Sequence, residues 1–323
     1  MPSLKRRAFL GWTIGFAGST LARAAMAAAG SVGDVEPIVL ATSTPGGGFA
    51  LYGETLERVL RDEDGRPLVR ARPTRGTAEN LVLLRRGEID AALIQGTAAG
   101  EILQGGATDL KVLFAMYPSP GMLAVPAASP IERLEDVRGR PVVSGVRASG
   151  LVTLARQVFD GVGLDIDIDR DVRSIYVEQA AESPRLVTSG HAVGLWGAGE
   201  GWPGFVQLAA APGGARFIGP SGAAIGRIVA RYPRLKPMDV PAGAYAGIDR
   251  PLPTVGSMNL ILVRADLADS RVEAFVDAMR RSHVSLTTAL PQAASSTLAE
   301  TLDSVPSPDA LHRAVRRVPL RPQ

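Results

Sequence analysis

The sequence predicts an α/β protein of two similarly built lobes, with parallel-type sheets and flanking helices. Three observations carry this expectation. Short apolar runs alternate with stretches of helical period along most of the chain. Two blocks open alike, each with a strand, a glycine-bearing loop and an amphipathic helix: Pro37–Ser43 with Thr44–Gly48, and Pro141–Ser144 with Gly145–Gly150. The length of 323 residues suits two domains at ~100–200 residues each. A cleft between such lobes, beyond the carboxyl ends of the strands, is a common ligand site.

Each element follows from local pattern. Pro37–Ser43 is an apolar run that ends in the loop Thr44-Pro45-Gly46-Gly47-Gly48. In the helix candidate Phe49–Leu60, Tyr52, Leu56, Val59 and Leu60 fall on one face. Arg70–Thr74 reads as a short strand, and Thr77–Arg86 as a helix with Thr77 at its start and Gly87 closing it. Ile89–Gln95 is a buried strand, and Lys111–Tyr117 and Met122–Val125 are strands around a Pro118–Gly121 turn. The second block reads as a short helix Ile131–Arg138, strand Pro141–Ser144, helix Leu151–Phe159, strand Ser174–Val177, a helix Gln179–Thr188 interrupted at Pro184, and strand Ala192–Trp196. A glycine-rich run to Gly204 and strand Arg216–Ile218 follow. Proline and glycine predict loop over 233–254. Val255–Val263 reads as one strand, Val272–Leu286 as one long helix, and the tail from Leu298 as helical with proline breaks.

Composition excludes several classes. Hydrophobic residues at 46% and charged residues at 21% are ordinary for a globular chain and exclude a mainly disordered one. The absence of cysteine removes disulfides, thiolate metal sites, cysteine nucleophiles and a lipidated N-terminal cysteine. His191, His283 and His312 lie far apart, which argues against a multi-histidine metal site. No cofactor is expected. The net charge of +3 traces to Lys5, Arg6, Arg7 and Arg23; beyond them 31 basic residues face 32 acidic ones, so no nucleic-acid partner is expected.

Residues 1–29 have the three-part pattern of an export signal: a basic start, an apolar stretch Phe9–Ala22 too short for a membrane span, and small-residue cleavage sites around Ala25–Ala29. Arg6-Arg7 before Ala-Phe-Leu is similar to the twin-arginine signal. An ordinary secretory leader with two adjacent arginines is the alternative. The expectation is a periplasmic protein that is soluble after cleavage.

Catalytic signatures are missing: there is no H-E-x-x-H, G-x-S-x-G or Walker A sequence. Gly199–Gly204 formally matches G-x-G-x-x-G, but no acid lies between Phe205 and Met238 to hold a ribose, so it reads as a plain glycine loop. Asp165, Asp167, Asp169 and Asp171 lack the glycine and distal glutamate of a calcium loop and read as a solvated acidic edge.

Four segments, ATSTPGGGFALYGETLERVL, TRGTAENLVLLRRGEIDAALIQG, IERLEDVRGRPVVSGVRASG and VPAGAYAG, together resemble the periplasmic solute receptors of TAXI type that serve TRAP transporters. The resemblance implies a type II periplasmic binding protein fold. One lobe would be 36–125 plus 259–323 and the other 126–258, with hinge strands near Leu123–Pro126 and Val255–Leu260. It implies a monomeric, non-catalytic receptor that passes a small carboxylate, of amino-acid or dicarboxylate class, to a TRAP-type permease. A sensing receptor of the same fold, or a periplasmic hydrolase or transferase, are the alternatives. By the same resemblance the ligand-facing residues are Ser43, Thr44, Gly47, Gly48 and Tyr52; Gly76, Thr77, Glu79 and Asn80; Gln95; and Ser144, Ser149 and Gly150. Arg75 and Arg147 depart from the family's usual small residues.

The chemistry of these residues supports the same site, with plainer roles beside it. A glycine loop entering a helix presents backbone N–H groups at the positive helix end, which suits a carboxylate, although glycine also serves ordinary turns. Arg75 and Arg147 are each able to fork a carboxylate, or to be solvated surface residues. Glu79 either faces ligand or complements its helix dipole. Asn80 and Gln95 offer donors and acceptors to a polar ligand, and Asn80 equally suits bracing its loop. Trp196 and Trp202 each suit an aromatic wall or core packing, and Trp196 is taken as the site residue.

Overall fold

The structure, a computed structural model, describes residues 36–62, 64–104 and 108–319. The leader and its twin-arginine signal lie outside the described residues. The first block runs β1 (Ile38–Ala41), α1 (Gly48–Val59), β2 (Val69–Arg72), α2 (Thr77–Arg85), β3 (Ala91–Ile94), α3 (Gly96–Gln104) and β4 (Leu110–Pro118). The chain then enters β5 (Gly121–Pro126), β6 (Pro141–Gly145), α4 (Gly150–Gly161), β7 (Arg173–Tyr176), α5 (Ser183–Thr188), β8 (Gly194–Ala198), α6 (Pro203–Ala209), β9 (Ala215–Ile218), α7 (Gly222–Arg231), β10 (Lys236–Val240) and β11 (Leu252–Gly256). It returns through β12 (Met258–Arg264), α8 (Asp269–Arg281), α9 (His283–Ala289), α10 (Leu298–Asp303) and α11 (Arg313–Arg317).

These strands make two five-stranded sheets of the same plan, ordered β2-β1-β3-β12-β4 and β7-β6-β8-β5-β9. In each, the first three strands are parallel. The sheets are mixed rather than wholly parallel. β12 runs antiparallel to β3 and β4, and β5 antiparallel to β8 and β9. The reason is topological: a strand arriving from the other lobe joins without a helical crossover to reverse it.

The passages between sheets are short. Ser119 and Pro120 join β4 to β5, and Ser257 alone separates β11 from β12. They lie side by side: the Ser119 amide donates to the Ser257 carbonyl at 3.0 Å, and Asn259 Nδ2 donates to Ser119 Oγ. β5, placed near a hinge by the sequence, is paired throughout in the second sheet.

Each sheet has its own core. Leu40, Leu56, Leu84, Leu93 and Phe114 are buried in the first, where Phe114 meets Phe275 edge-on. In the second, Phe159 packs on Trp196 on one face, and Trp202, Phe205, Phe217 and Tyr245 cluster on the other.

Four expectations are corrected. The 233–254 stretch holds β10 and β11, a two-stranded antiparallel ladder. Pro237 and Pro253 lie within it, and proline is tolerated in such an edge ladder. The strand expected over Val255–Val263 breaks at Ser257, where the chain changes sheets. The long helix expected over Val272–Leu286 divides at Ser282 into α8 and α9. Pro184 lies at the start of α5, where its missing N–H costs no helical bond, rather than interrupting a helix.

Candidate ligand-binding cleft

The duplicated plan places equivalent loops opposite one another. The β1–α1 loop faces the second sheet's helical layer, and the β6–α4 loop faces the first. Backbone bonds tie them across the gap: Ala78 N to Ala148 O at 3.1 Å and Ala181 N to Pro45 O at 3.1 Å. Ala180 N also donates to Thr44 Oγ1 at 3.1 Å. Approach is close enough that a Cβ on Gly150 would lie 2.2 Å from Gln95 Cβ, and one on Gly46 2.7 Å from the Ala181 backbone. Only glycine fits at these two points.

Between the loops lies a cavity of about 70 Å³. Ten of the expected residues line it: Ser43, Thr44, Gly47, Gly48, Arg75, Gly76, Thr77, Gln95, Ser149 and Gly150. The lining also includes Phe49, Tyr117, Ser119, Gly145, Val146, Leu151, Ala180, Ala198, Trp202 and Asn259. Sequence reasoning left most of these out because they read as core. The available signal was polar Ser119 and Asn259 in otherwise apolar strand ends.

Three helices start at this cavity: α1 after Gly47, α2 after Gly76 and α4 after Ser149. In none does the N-cap side chain bond the first turn. The first turns of α1 and α4 carry no acid. Among the described residues, the lining has no Asp, Glu or His, and its one charged residue is Arg75. The starts of α1 and α4 each carry about half a positive charge, while Glu79 offsets that of α2, so the cavity favours an anion near α1 and α4.

The remaining candidates have other tasks. Tyr52 is fully buried behind the cavity, its hydroxyl 2.9 Å from Ser296 Oγ and its ring 5.4 Å from Tyr117. Asn80 is also fully buried. Its Nδ2 donates to the carbonyls of Thr42 at 2.8 Å and Leu93 at 2.9 Å, and its Oδ1 accepts from Thr74 Oγ1 at 2.6 Å. It braces the loop. Glu79 turns back to Arg75, accepting from its amide at 2.7 Å and its Nε at 3.1 Å. The backbone bond, with the guanidinium beside it, holds the Glu79 carboxyl below the usual carboxylate range.

Ser144 points to Ser174, Oγ to Oγ at 3.1 Å. Arg147 is exposed and lies over the Tyr176 ring, 3.8 Å from its centroid, in a cation–π contact. Trp196 is buried in the second core and donates Nε1 to Leu151 O at 3.1 Å. It is Trp202, not Trp196, that walls the cavity. Gln95 lines the cavity, but its amide is engaged by Ser257 Oγ and by Thr97.

Tyr117 completes one wall. Burial, with Tyr52 and Tyr245 nearby, pushes its phenol far above the usual value, so it stays a neutral hydroxyl. That oxygen lies 2.9 Å from where a Cβ on Gly48 would stand.

Residues 40–318 match the model of the NMT1-like family. The chain belongs to the NMT1-like family. A comparison with curated proteins gives no match. Among solved structures, one described as a periplasmic transporter is 12% identical at a TM-score of 0.51, covering 79% of this chain and 86% of its own. The alkanesulfonate-binding protein SsuA from Xanthomonas axonopodis pv. citri, bound to MOPS, is 15% identical at 0.46, with 88% and 84% covered. The GluR0 ligand-binding core complexed with L-glutamate is 9% identical at 0.47, with 81% and 98% covered. The NMT1-like chain has the type II periplasmic binding protein fold: two α/β sheets with flanking helices and a cleft between them. Among the described residues, no helix is long and apolar enough to cross a membrane.

Proposed function

We propose that this NMT1-like protein is an exported, non-catalytic receptor that captures a small carboxylate between its lobes and passes it to a membrane permease of TRAP type. The observation that carries the reading is the convergence of three helix starts, those of α1 and α4 without an acid in their first turn, on one cavity whose described lining has no acid. The lobes are built on the two five-stranded sheets, and ligand contacts from both favour closure. The four-segment resemblance to TAXI-type receptors supports the TRAP partner, and the basic, apolar and small-residue pattern of residues 1–29 supports twin-arginine export. Replacing both Arg6 and Arg7 by Lys is expected to leave precursor in the cytoplasm. Undiminished export of that variant contradicts the twin-arginine route.

The test of binding is thermal unfolding of ligand-stripped protein with a panel of small carboxylates and their neutral amides. A ligand at 100 times its Kd adds about 2.7 kcal/mol, a clear rise in Tm. Carboxylates are expected to raise Tm and amides not to. Stabilisation by amides alone contradicts the reading.

A further inference from the structure

We infer that the cleft selects a small monocarboxylate with an uncharged body and a hydrogen-bond acceptor beside the carboxylate, and rejects amino acids and dicarboxylates. The inference rests on the carboxylate reading above and narrows it.

The first ground is charge. An α-ammonium group needs an anionic partner when taken out of water, and among the described residues the lining has no Asp or Glu. A second carboxylate needs a cation. Arg147 is spent on Tyr176 outside the cavity, and Arg75 stands at the rim, its side chain 67% exposed and its Nε on Glu79. The helix starts therefore serve one anionic group.

The second ground is Trp202. Its residue is 3% exposed, it lines the cavity, and its Nε1 is buried with no hydrogen-bond partner among the described residues. A buried indole N–H ordinarily finds an acceptor. Its orientation is fixed by packing. The benzo ring is clamped where a Cβ on Gly197 would lie 2.3 Å from Cζ3 and one on Gly204 2.8 Å from Cη2. Phe205 meets the indole edge-on at 4.8 Å. The Cδ1 corner, bonded to Nε1, is left towards the start of α1, 3.5 Å from the Cβ position of Gly48. The unpaired donor thus lies beside the anion-favouring end of the cavity, where a 2-oxo or 2-hydroxy oxygen of a bound acid would sit.

The third ground is the apolar part of the lining, which would leave a second charged group unpaired. Phe49, Val146 and Leu151 supply an apolar wall for the rest of the body.

The experiment is calorimetric titration of ligand-stripped protein with pyruvate, lactate, propionate, alanine, malonate and pyruvamide. Pyruvate or lactate is expected to bind at least about tenfold more tightly than alanine or malonate. It is expected to bind about fivefold more tightly than propionate, which lacks the acceptor, as one neutral hydrogen bond allows. Trp202→Phe keeps a ring between the two glycines and is expected to abolish the preference for pyruvate or lactate over propionate, with all three titrated into the variant itself. Equal or tighter binding of alanine or malonate overturns the inference and leaves the carboxylate reading standing, as does an unchanged preference in Trp202→Phe. Binding of pyruvamide alone, or of nothing in the panel, overturns both.

Discussion

The amide of Ala78, in the first turn of α2, donates to the carbonyl of Ala148 on the opposite lobe at 3.1 Å. The bond joins the two loops that form the cleft. With Ala181–Pro45 and Ala180–Thr44, it makes a seam that opening of the lobes must break. Single neutral hydrogen bonds contribute about 0.5–1.5 kcal/mol each, so the seam is weak enough to be set by ligand.

Gly150→Ala tests the seam. The added methyl would stand 2.2 Å from Gln95 Cβ, which is not a flexible chain end, so the lobes must part. The expected outcome is ligand affinity reduced by tenfold or more, with Tm of the ligand-free protein nearly unchanged, since alanine suits a helix start. Unaltered affinity by calorimetry shows that the loops do not need to approach this closely.

The two arginines give a contrasting result. Arg147→Ala removes a cation–π contact on a half-buried ring, and Arg75→Ala removes an exposed pair with Glu79. Each is expected to change ligand affinity by less than about threefold and stability by about 0–1 kcal/mol. A loss of tenfold or more in either variant would place that guanidinium on the ligand.

Asn80→Ala is expected to act on stability. It removes one partner each from Thr42 O, Leu93 O and Thr74 Oγ1 in a buried site, while Thr74 Oγ1 and Thr42 O still bond each other at 3.2 Å. Losing these buried bonds is expected to cost about 1–3 kcal/mol, read as a lower midpoint in urea. Ligand affinity of the folded fraction then reports whether the brace also sets loop geometry.

The two α/β sheets and both glycine loops were legible in the sequence because a buried strand, a glycine turn and an amphipathic helix each leave a local pattern. What the sequence could not rank was competition between partners. Arg147 chose a neighbouring ring and Arg75 a neighbouring carboxylate, and nothing in local spacing distinguishes these from a ligand. Trp196 and Trp202 look alike in sequence, and the difference lies in Gly197 and Gly204, which admit the Trp202 ring beside the cavity. Tyr117, Ser119 and Asn259 come from distant strand ends that meet only after the chain crosses twice between sheets. The β10–β11 ladder escaped because its prolines are permitted only at an edge, a tertiary property.

Acid stability should depend on Asp90. Burial alone would raise its carboxyl, but two bonds from Arg271, at 2.8 and 2.9 Å, and one from the Val39 amide outweigh it and hold it below the usual value. A lowered folded value adds stability above the unfolded value near 3.9, and that stability is lost as pH falls through the folded value. Asp90→Asn is therefore expected to cost about 1–3 kcal/mol at pH 7 and progressively less below about pH 4. An equal cost at pH 7 and pH 3 by urea unfolding rules out the ion pair as the source.

The most direct test of capture between lobes is the interlobe distance with and without ligand. The chain has no cysteine, so Val82→Cys with Val206→Cys gives two clean labelling sites, at exposed positions on α2 and α6. Distances between spin labels there, measured in ligand-stripped protein, are expected to be broad and long. They should collapse to a single shorter population on addition of a carboxylate that binds in calorimetry. A distribution that the bound carboxylate leaves unchanged would contradict capture by lobe closure.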